Sequence, residues 1–97
     1  MKRESAFQAR LIKKLLAMDC VANVIKNDAN YIQGFPDLTV YLKNGKWALL
    51  ENKRSEHAAR QSNQEYYVKS MNECGFARFV CPKNEEEVLN DLRKYAS

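Results

Sequence analysis

Residues 34–53 read GFPDLTVYLKNGKWALLENK, and the way this stretch folds back on itself decides the architecture of the chain. Residues 37–43 alternate between apolar and polar side chains, as a half-buried strand does, and residues 46–53 also have the composition of a strand. Asn44 and Gly45 stand between them, and Asn-Gly is a strong hairpin signal. The stretch therefore predicts two antiparallel strands joined by a tight turn.

Three charged residues occupy these strands where apolar side chains would make a better core, namely Asp37, Glu51 and Lys53. Glu51 and Lys53 are two positions apart, so they project from the same face, about 7 Å from each other along the strand. Whether Asp37 joins them depends on the register of the hairpin.

The length of the turn sets that register. A two-residue turn pairs Asp37 with Asn52 and leaves Asp37 on the opposite face from Glu51. A three-residue turn, residues 43–45 with Gly45 in the left-handed conformation, places Asp37 directly across from Glu51. The longer turn also creates an apolar back face made of two stacked pairs, Leu38 on Leu50 and Val40 on Ala48. We therefore predict the three-residue turn or an equivalent bulge.

The three-residue register brings two carboxylates together, and they repel each other unless a cation lies between them. Such hard oxygen ligands suit Mg²⁺ or Mn²⁺, with water completing an octahedron. A lysine one strand step away can orient a water molecule or neutralise charge that develops on a phosphate. Pro-Asp and Glu-x-Lys are each common by chance, so their joint placement on one hairpin carries the prediction of a phosphodiester-cleaving site.

The whole chain has the pattern of a mixed α/β domain, with elements in the order helix, three strands, helix, strand, helix. We expect a three-strand meander within a mixed four-stranded sheet flanked by helices. The remaining elements are predicted as a helix over 3–18, a strand over 21–26, a helix from a Ser62–Glu65 capping box to Gly75, a strand over 76–81, and a helix from an Asn84–Glu87 capping box.

The composition is that of a globular protein, with 45% hydrophobic and 29% charged residues. The 97 residues predict a single domain spanning 1–97, and the net charge of +4 mildly favours a polyanionic partner. No apolar run is long enough to span a bilayer, and the basic, amphipathic N-terminus lacks the pattern of a signal peptide. We expect a cytoplasmic protein with no membrane partner.

Cysteine usage excludes two further classes of site. Cys20, Cys74 and Cys81 are odd in number and form no Cys-x-x-Cys pair, and His57 is the single histidine. Neither a zinc site nor a disulfide framework is indicated. We expect three buried or half-buried thiols.

The hairpin motif resembles that of the PD-(D/E)xK nuclease superfamily, whose common core has a restriction-endonuclease-like fold with the same element order. Within the superfamily, the chain looks most like a stand-alone VRR-NUC domain over a span from Glu4 to about Gly75. That family shows a glutamate in the first helix, Gly-x-Pro-Asp-Leu, an acid-x-Lys pair and a glutamine at the start of the next helix. The matching positions here are Glu4, Gly34 to Leu38, Glu51 to Lys53, and Gln64.

The resemblance implies a Mg²⁺-dependent (or Mn²⁺-dependent) DNA endonuclease that leaves a 5′-phosphate and a 3′-hydroxyl. Lys53 would position or activate the attacking water, and Gln64 would orient the site. The implied metal ligands are Asp37, Glu51, the backbone carbonyl of Asn52 and, through a water molecule or a second metal, Glu4. No small-molecule cofactor is implied.

Glu4 and Gln64 each have an alternative. Glu4 lies on the helical stripe that faces the core, but Ser5 and Gln8 would form a capping box that leaves Glu4 outside the helix. Gln64 lies on the sheet-facing stripe of its helix, where a buried amide needs partners. Gln61 precedes the predicted cap and is the weaker choice.

Four basic side chains are candidates for contacts with DNA phosphates: Lys14, Arg54, His57 and Arg60. A charged loop is more often simply solvated, so this prediction competes with a purely structural interpretation. We do not expect His57 to act as a general base, since a magnesium site does not require one.

One small domain covers a single scissile phosphate, so cutting both strands of a junction requires two sites and predicts a homodimer. The sequence shows no added recognition module, which favours branched or Holliday-type DNA as the substrate. Its compact form is similar to phage-encoded versions, which would act in the host cytoplasm. The alternatives are a nuclease fold that binds nucleic acid without cutting, and an interaction domain in which Lys53 neutralises the two acids.

Overall fold

The computed structural model of the protein describes residues 2–28 and 30–97, with side chains from Ala6 onward. Within these residues, three helices and four strands follow one another in the predicted order, so the predicted α/β class is confirmed. The elements are α1 (Lys2–Leu16), β1 (Val21–Lys26), β2 (Leu38–Leu42), β3 (Trp47–Asn52), α2 (Ser62–Cys74), β4 (Ala77–Val80) and α3 (Glu85–Ala96).

The hairpin between β2 and β3 has the predicted three-residue turn. The N–H of Leu42 donates to the carbonyl of Lys46 at 2.9 Å, and the N–H of Gly45 donates back to the carbonyl of Leu42 at 3.0 Å. Gly45 has φ +91°, a left-handed conformation that glycine adopts without steric cost. The two predicted apolar pairs are present, Leu38 with Leu50 and Val40 with Ala48.

The sheet has the order β1-β2-β3-β4. The first three strands form the predicted antiparallel meander, and β4 pairs in parallel with β3. A parallel neighbour requires a crossover connection, which α2 provides. The sheet is therefore mixed, as predicted.

The main core lies on one face of the sheet, where α1 and α3 pack. Its residues come from both helices and from alternate positions of the strands, and they include Phe7, Leu11, Leu15, Leu38, Val40, Leu50, Val80, Val88, Leu89 and Leu92. The other face is covered by α2, which contacts β3 and β4 and has no buried residue of its own. The strand residues beneath α2 are nevertheless buried, among them Leu49, Glu51 and Ala77.

Both predicted capping boxes need correction. The N-cap of α2 is Gln61, not Ser62, and its N–H donates to Oε1 of Gln64 at 3.1 Å. Asn84 is the N-cap of α3 as predicted, but its side chain caps no helix N–H. It accepts instead from the N–H of Cys81 at 2.8 Å and donates to the carbonyl of Phe79 at 3.0 Å. The capping box of α2 is therefore shifted by one residue, whereas at α3 contacts with the preceding strand and turn have replaced the local capping bond.

Gly75 ends α2 as predicted, because of packing. A β-carbon there would lie 2.8 Å from Cη2 of Trp47, so the indole ring occupies the space of a side chain.

The prediction of three buried or half-buried thiols is wrong at one position: Cys20 is half-buried and Cys81 buried, but Cys74 is exposed. None of the described helices is long and apolar enough to cross a membrane.

Candidate functional site

Asp37 stands immediately before β2, and the register of the hairpin continues to place it opposite Glu51. Its Oδ2 accepts a hydrogen bond from the backbone N–H of Asn52 at 2.8 Å, so the carboxylate is held against the end of β3. Its carbonyl accepts from the N–H of Asn27 at 2.8 Å, which holds its backbone against the chain that follows β1. The aspartate is thus fixed from both sides.

Glu51 is a buried carboxylate, with 3% of its surface exposed. Burying a carboxylate is costly unless hydrogen bonds or opposite charges compensate it. One such bond comes from α2, since Nε2 of Gln64 donates to Oε2 of Glu51 at 3.0 Å. The crossover helix therefore takes part in holding the acid that β3 presents.

Lys53 extends the end of β3, and its backbone N–H donates to the carbonyl of Val80 at 2.8 Å. Its ammonium group donates to Oε1 of Gln64 at 2.7 Å and to the carbonyl of Ala59 at 2.9 Å. These two bonds hold the lysine head group in one place, on the same side of the sheet as Glu51.

The side-chain amide of Gln64 thus bridges Glu51 and Lys53. Its nitrogen can only donate and its oxygen can only accept, so the acid and the ammonium together determine its orientation. The oxygen also accepts from the N–H of Gln61. The structure brings Gln64, not the side chain of Gln61, to the two charged residues.

Gly34 positions the segment that leads to Asp37. Its φ is +86°, and a β-carbon there would lie 2.4 Å from Cβ of Asn63 and 3.2 Å from the backbone nitrogen of Gln64. Only glycine allows the chain to run this close to the start of α2. The first residue of the Gly-x-Pro-Asp motif therefore lets the loop carrying Asp37 and the helix carrying Gln64 meet.

The side chain of Asn52 was missed by the sequence reasoning, which considered only its carbonyl. It is fully buried, and neither its Oδ1 nor its Nδ2 has a hydrogen-bond partner among the residues whose side chains are described. As the middle residue of Glu-x-Lys it projects from the face opposite to Glu51, towards the main core. The alternation of side chains along β3 was the feature of the sequence that could have predicted this burial.

The donor set fits a divalent ion that keeps several water ligands. Among the residues whose side chains are described, no three His, Cys, Asp or Glu form a group that could hold a metal. Magnesium is nevertheless usually held by one or two carboxylates plus water. Asp37 and Glu51 supply two, and the two oxygens of a carboxylate can accept hydrogen bonds and coordinate a cation at the same time. The side chain of Glu4, the further predicted ligand, lies outside the described residues.

Of the four basic residues predicted to contact DNA, Arg54, His57 and Arg60 lie in the loop between β3 and α2, and Lys14 lies elsewhere. Lys14 pairs with Glu85 at 3.1 Å, between α1 and α3 and across the sheet from α2. The guanidinium of Arg60 lies 4.0 Å from the centre of the Phe79 ring. Arg54 and His57 are exposed in the loop after β3.

This loop is tied to the turn before α3. Glu56 accepts a hydrogen bond from Lys83 at 2.9 Å, and its carboxylate lies 3.3 Å from Nε2 of His57. The bond from Lys83 lowers the pKa of the Glu56 carboxyl below its usual value. The side chains of Lys83 and Glu56 are solvent-exposed, so this ion pair contributes little to the stability of the fold.

No family model matches this sequence, and no curated protein matches it either. A solved structure described as a VRR_NUC domain superimposes on it with a TM-score of 0.74 at 20% sequence identity, covering 91% of this chain and 95% of that chain. The predicted likeness to a VRR-NUC domain is therefore confirmed at the level of the fold, which includes the restriction-endonuclease-like core.

Proposed function

We propose that the protein is a metal-dependent nuclease that hydrolyses phosphodiester bonds in DNA. The observation that carries this proposal is the chain of hydrogen bonds from Glu51 through Gln64 to Lys53, with Asp37 across the hairpin from Glu51. Two carboxylates repel an anionic substrate unless a cation is bound between them. With such a cation in place, the carboxylates and the ammonium group of Lys53 form a site that suits a phosphate. The VRR_NUC fold of the chain supports the same reading.

Mg²⁺ or Mn²⁺ is the proposed cofactor, held by the carboxylates of Asp37 and Glu51 and the backbone carbonyl of Asn52. When bound, the ion would supply Lewis-acid stabilisation of the charge that develops on the phosphate. The backbone N–H of Asn52 already orients one of these carboxylates, and the amide of Gln64 orients the other. Glu4 is proposed as an additional ligand from α1.

Lys53 is proposed to act on the attacking water. Its ammonium group can donate three hydrogen bonds, and Gln64 and Ala59 accept two of them. The third N–H is then directed by the first two, which makes the lysine a fixed donor for water or for a phosphate oxygen. A donor fixed before the reaction needs no reorganisation when charge develops, and this is the main source of electrostatic catalysis.

The proposed substrate is branched or Holliday-type DNA, cut by a homodimer. One site of this size reaches one scissile phosphate, so paired cuts in a two-fold symmetric junction require two copies related by the same symmetry. The half of the sheet that α2 leaves uncovered offers a surface for a second copy, since Ile25 and Tyr41 are 43% and 50% exposed there.

A cleavage assay tests the function directly. Single-stranded, duplex, flap and four-way substrates are incubated with Mg²⁺, Mn²⁺, Ca²⁺ or EDTA. We expect cutting of branched DNA in Mg²⁺ or Mn²⁺, and binding without cutting in Ca²⁺. Binding without cutting in every metal would show a nuclease fold that only binds nucleic acid, and no binding at low salt would leave an interaction domain.

A further inference from the structure

A cavity of about 510 Å³ lies between α1 and the loop after β3. Its lining residues are Ala6, Phe7, Arg10, Arg54, Ser55 and Pro82. Ala6, Phe7 and Pro82 give the cavity an apolar surface. The other three residues carry side-chain hydrogen-bond donors. The cavity therefore presents two guanidinium groups and one hydroxyl group, which are donors that suit an anion.

The two arginines come from elements distant in sequence, and both line this cavity. Neither makes an ion pair or hydrogen bond with any side chain that the structure describes, whereas Lys14 and Lys83 are both paired with glutamates. Two guanidinium groups at one cavity repel each other unless an anion lies between them. A bound anion would remove this repulsion.

The cavity begins one residue along the chain from Lys53, the lysine proposed to act on the attacking water. Arg54 follows Lys53 in the chain, but Lys53 reaches Gln64 on the α2 side whereas Arg54 lines a cavity on the α1 side. A polyanionic strand with one phosphate beside Lys53 would therefore bring a neighbouring phosphate past the end of β3 towards the cavity.

We propose that Arg10, Arg54 and Ser55 form a phosphate subsite that holds a DNA phosphate adjacent to the one being cleaved. Guanidinium groups bind phosphate oxygens through paired N–H donors, and the hydroxyl of Ser55 adds a further donor. This inference rests on the proposed function, because it takes DNA as the ligand.

Binding measured without cutting tests the subsite. Fluorescence anisotropy of a labelled branched oligonucleotide in Ca²⁺ gives the Kd of wild type, Arg10→Ala and Arg54→Ala over a series of salt concentrations. Arg93→Ala removes an exposed arginine from α3 and is the matched control. Thermal melts establish that each variant is folded.

We expect each cavity variant to weaken binding about tenfold. Each should also reduce the slope of log K against log salt by about one, because one phosphate contact is lost. Arg93→Ala should leave both unchanged. Unchanged binding in the two cavity variants would overturn the subsite, and so would an equal loss in all three, which would reflect net charge alone.

The phosphate can belong to the interior of a strand or to its 5′ end, and the comparison of 5′-phosphorylated with 5′-hydroxyl oligonucleotides separates the two. A preference for the 5′-phosphate that Arg54→Ala abolishes identifies the terminal group, and equal affinity with the same arginine dependence identifies an internal phosphate.

The experiments distinguish a failure of the proposed subsite from a failure of the proposed nuclease function. A wild type that never cuts but binds through Arg10 and Arg54 would overturn only the proposed function, and one that cuts but is indifferent to both arginines would overturn only the subsite.

Discussion

The ammonium group of Lys53 donates a 2.7 Å hydrogen bond to the side-chain oxygen of Gln64, joining the end of β3 to the first turn of α2. The same amide donates to Glu51. The carboxylate of Glu51 and the ammonium group of Lys53, two positions apart in the chain, therefore share Gln64 as a partner. The crossover helix therefore connects the parallel strands β3 and β4 and also holds the groups proposed to act on phosphate.

Substituting Lys53 with alanine should abolish cleavage while DNA binding persists. The lysine is proposed to act on the attacking water, and losing one fixed donor or proton-transfer group costs about 10²–10⁴ in rate. Nicking of branched DNA in Mg²⁺ and anisotropy in Ca²⁺ measure the two properties. Lys69→Ala, which removes an exposed lysine from α2, is the control, and undiminished cutting by Lys53→Ala would contradict the mechanism.

Gln64→Ala should slow cleavage by about 10- to 100-fold, because both Glu51 and Lys53 lose a shared partner. Gln64→Glu should be at least as slow, since a second carboxylate beside Glu51 repels it. Single-turnover rates measure both. Gln61→Ala removes no side-chain bond to either charged residue, and a larger effect at Gln61 than at Gln64 would show that the wrong glutamine has been assigned to the site.

Gly34→Ala should be clearly more destabilising than Gly45→Ala, although both glycines have positive φ. Nothing lies within 4 Å of a β-carbon at Gly45, so that variant incurs only the backbone strain, about 1–2 kcal/mol. At Gly34 the new β-carbon meets Asn63 as well, and the loop must move away from α2. Urea unfolding of both variants tests this.

The displaced loop should also reduce cleavage by Gly34→Ala, since Asp37 lies three residues further along the same segment. Gly45→Ala, at the far end of the hairpin, should cut at the wild-type rate under conditions where both are folded. Equal stabilities for the two variants would show that the approach of Gly34 to α2 is not tight.

Asn52→Val should stabilise the protein by about 1–2 kcal/mol, because it removes two buried polar atoms that have no hydrogen-bond partner. Asn52→Asp should destabilise it, since a buried charge replaces a buried amide. Chemical denaturation measures the free energy of unfolding in each case. A loss of stability in Asn52→Val would indicate that the amide holds a buried water molecule.

Much of the hairpin could be predicted, because strand patterns depend on near neighbours in the sequence. The apolar pairs Leu38–Leu50 and Val40–Ala48 favour one register, and that register requires a three-residue turn with glycine at its end. The placement of Asp37 opposite Glu51 followed from the same alternation. The helix caps were predicted less well, because Gln61 is a weak capping residue and Asn84 has tertiary partners.

The sequence by itself determined the order of the elements, the register of the hairpin and the face shared by Asp37, Glu51 and Lys53, since each depends on alternation within a few residues. Only the tertiary structure decided that Gln64 bridges Glu51 and Lys53, that the amide of Asn52 is buried without a partner, and that Arg10 and Arg54 line one cavity. These relationships depend on how helices pack across the sheet. That packing is set by many weak contacts between residues distant in the chain, which no local pattern contains.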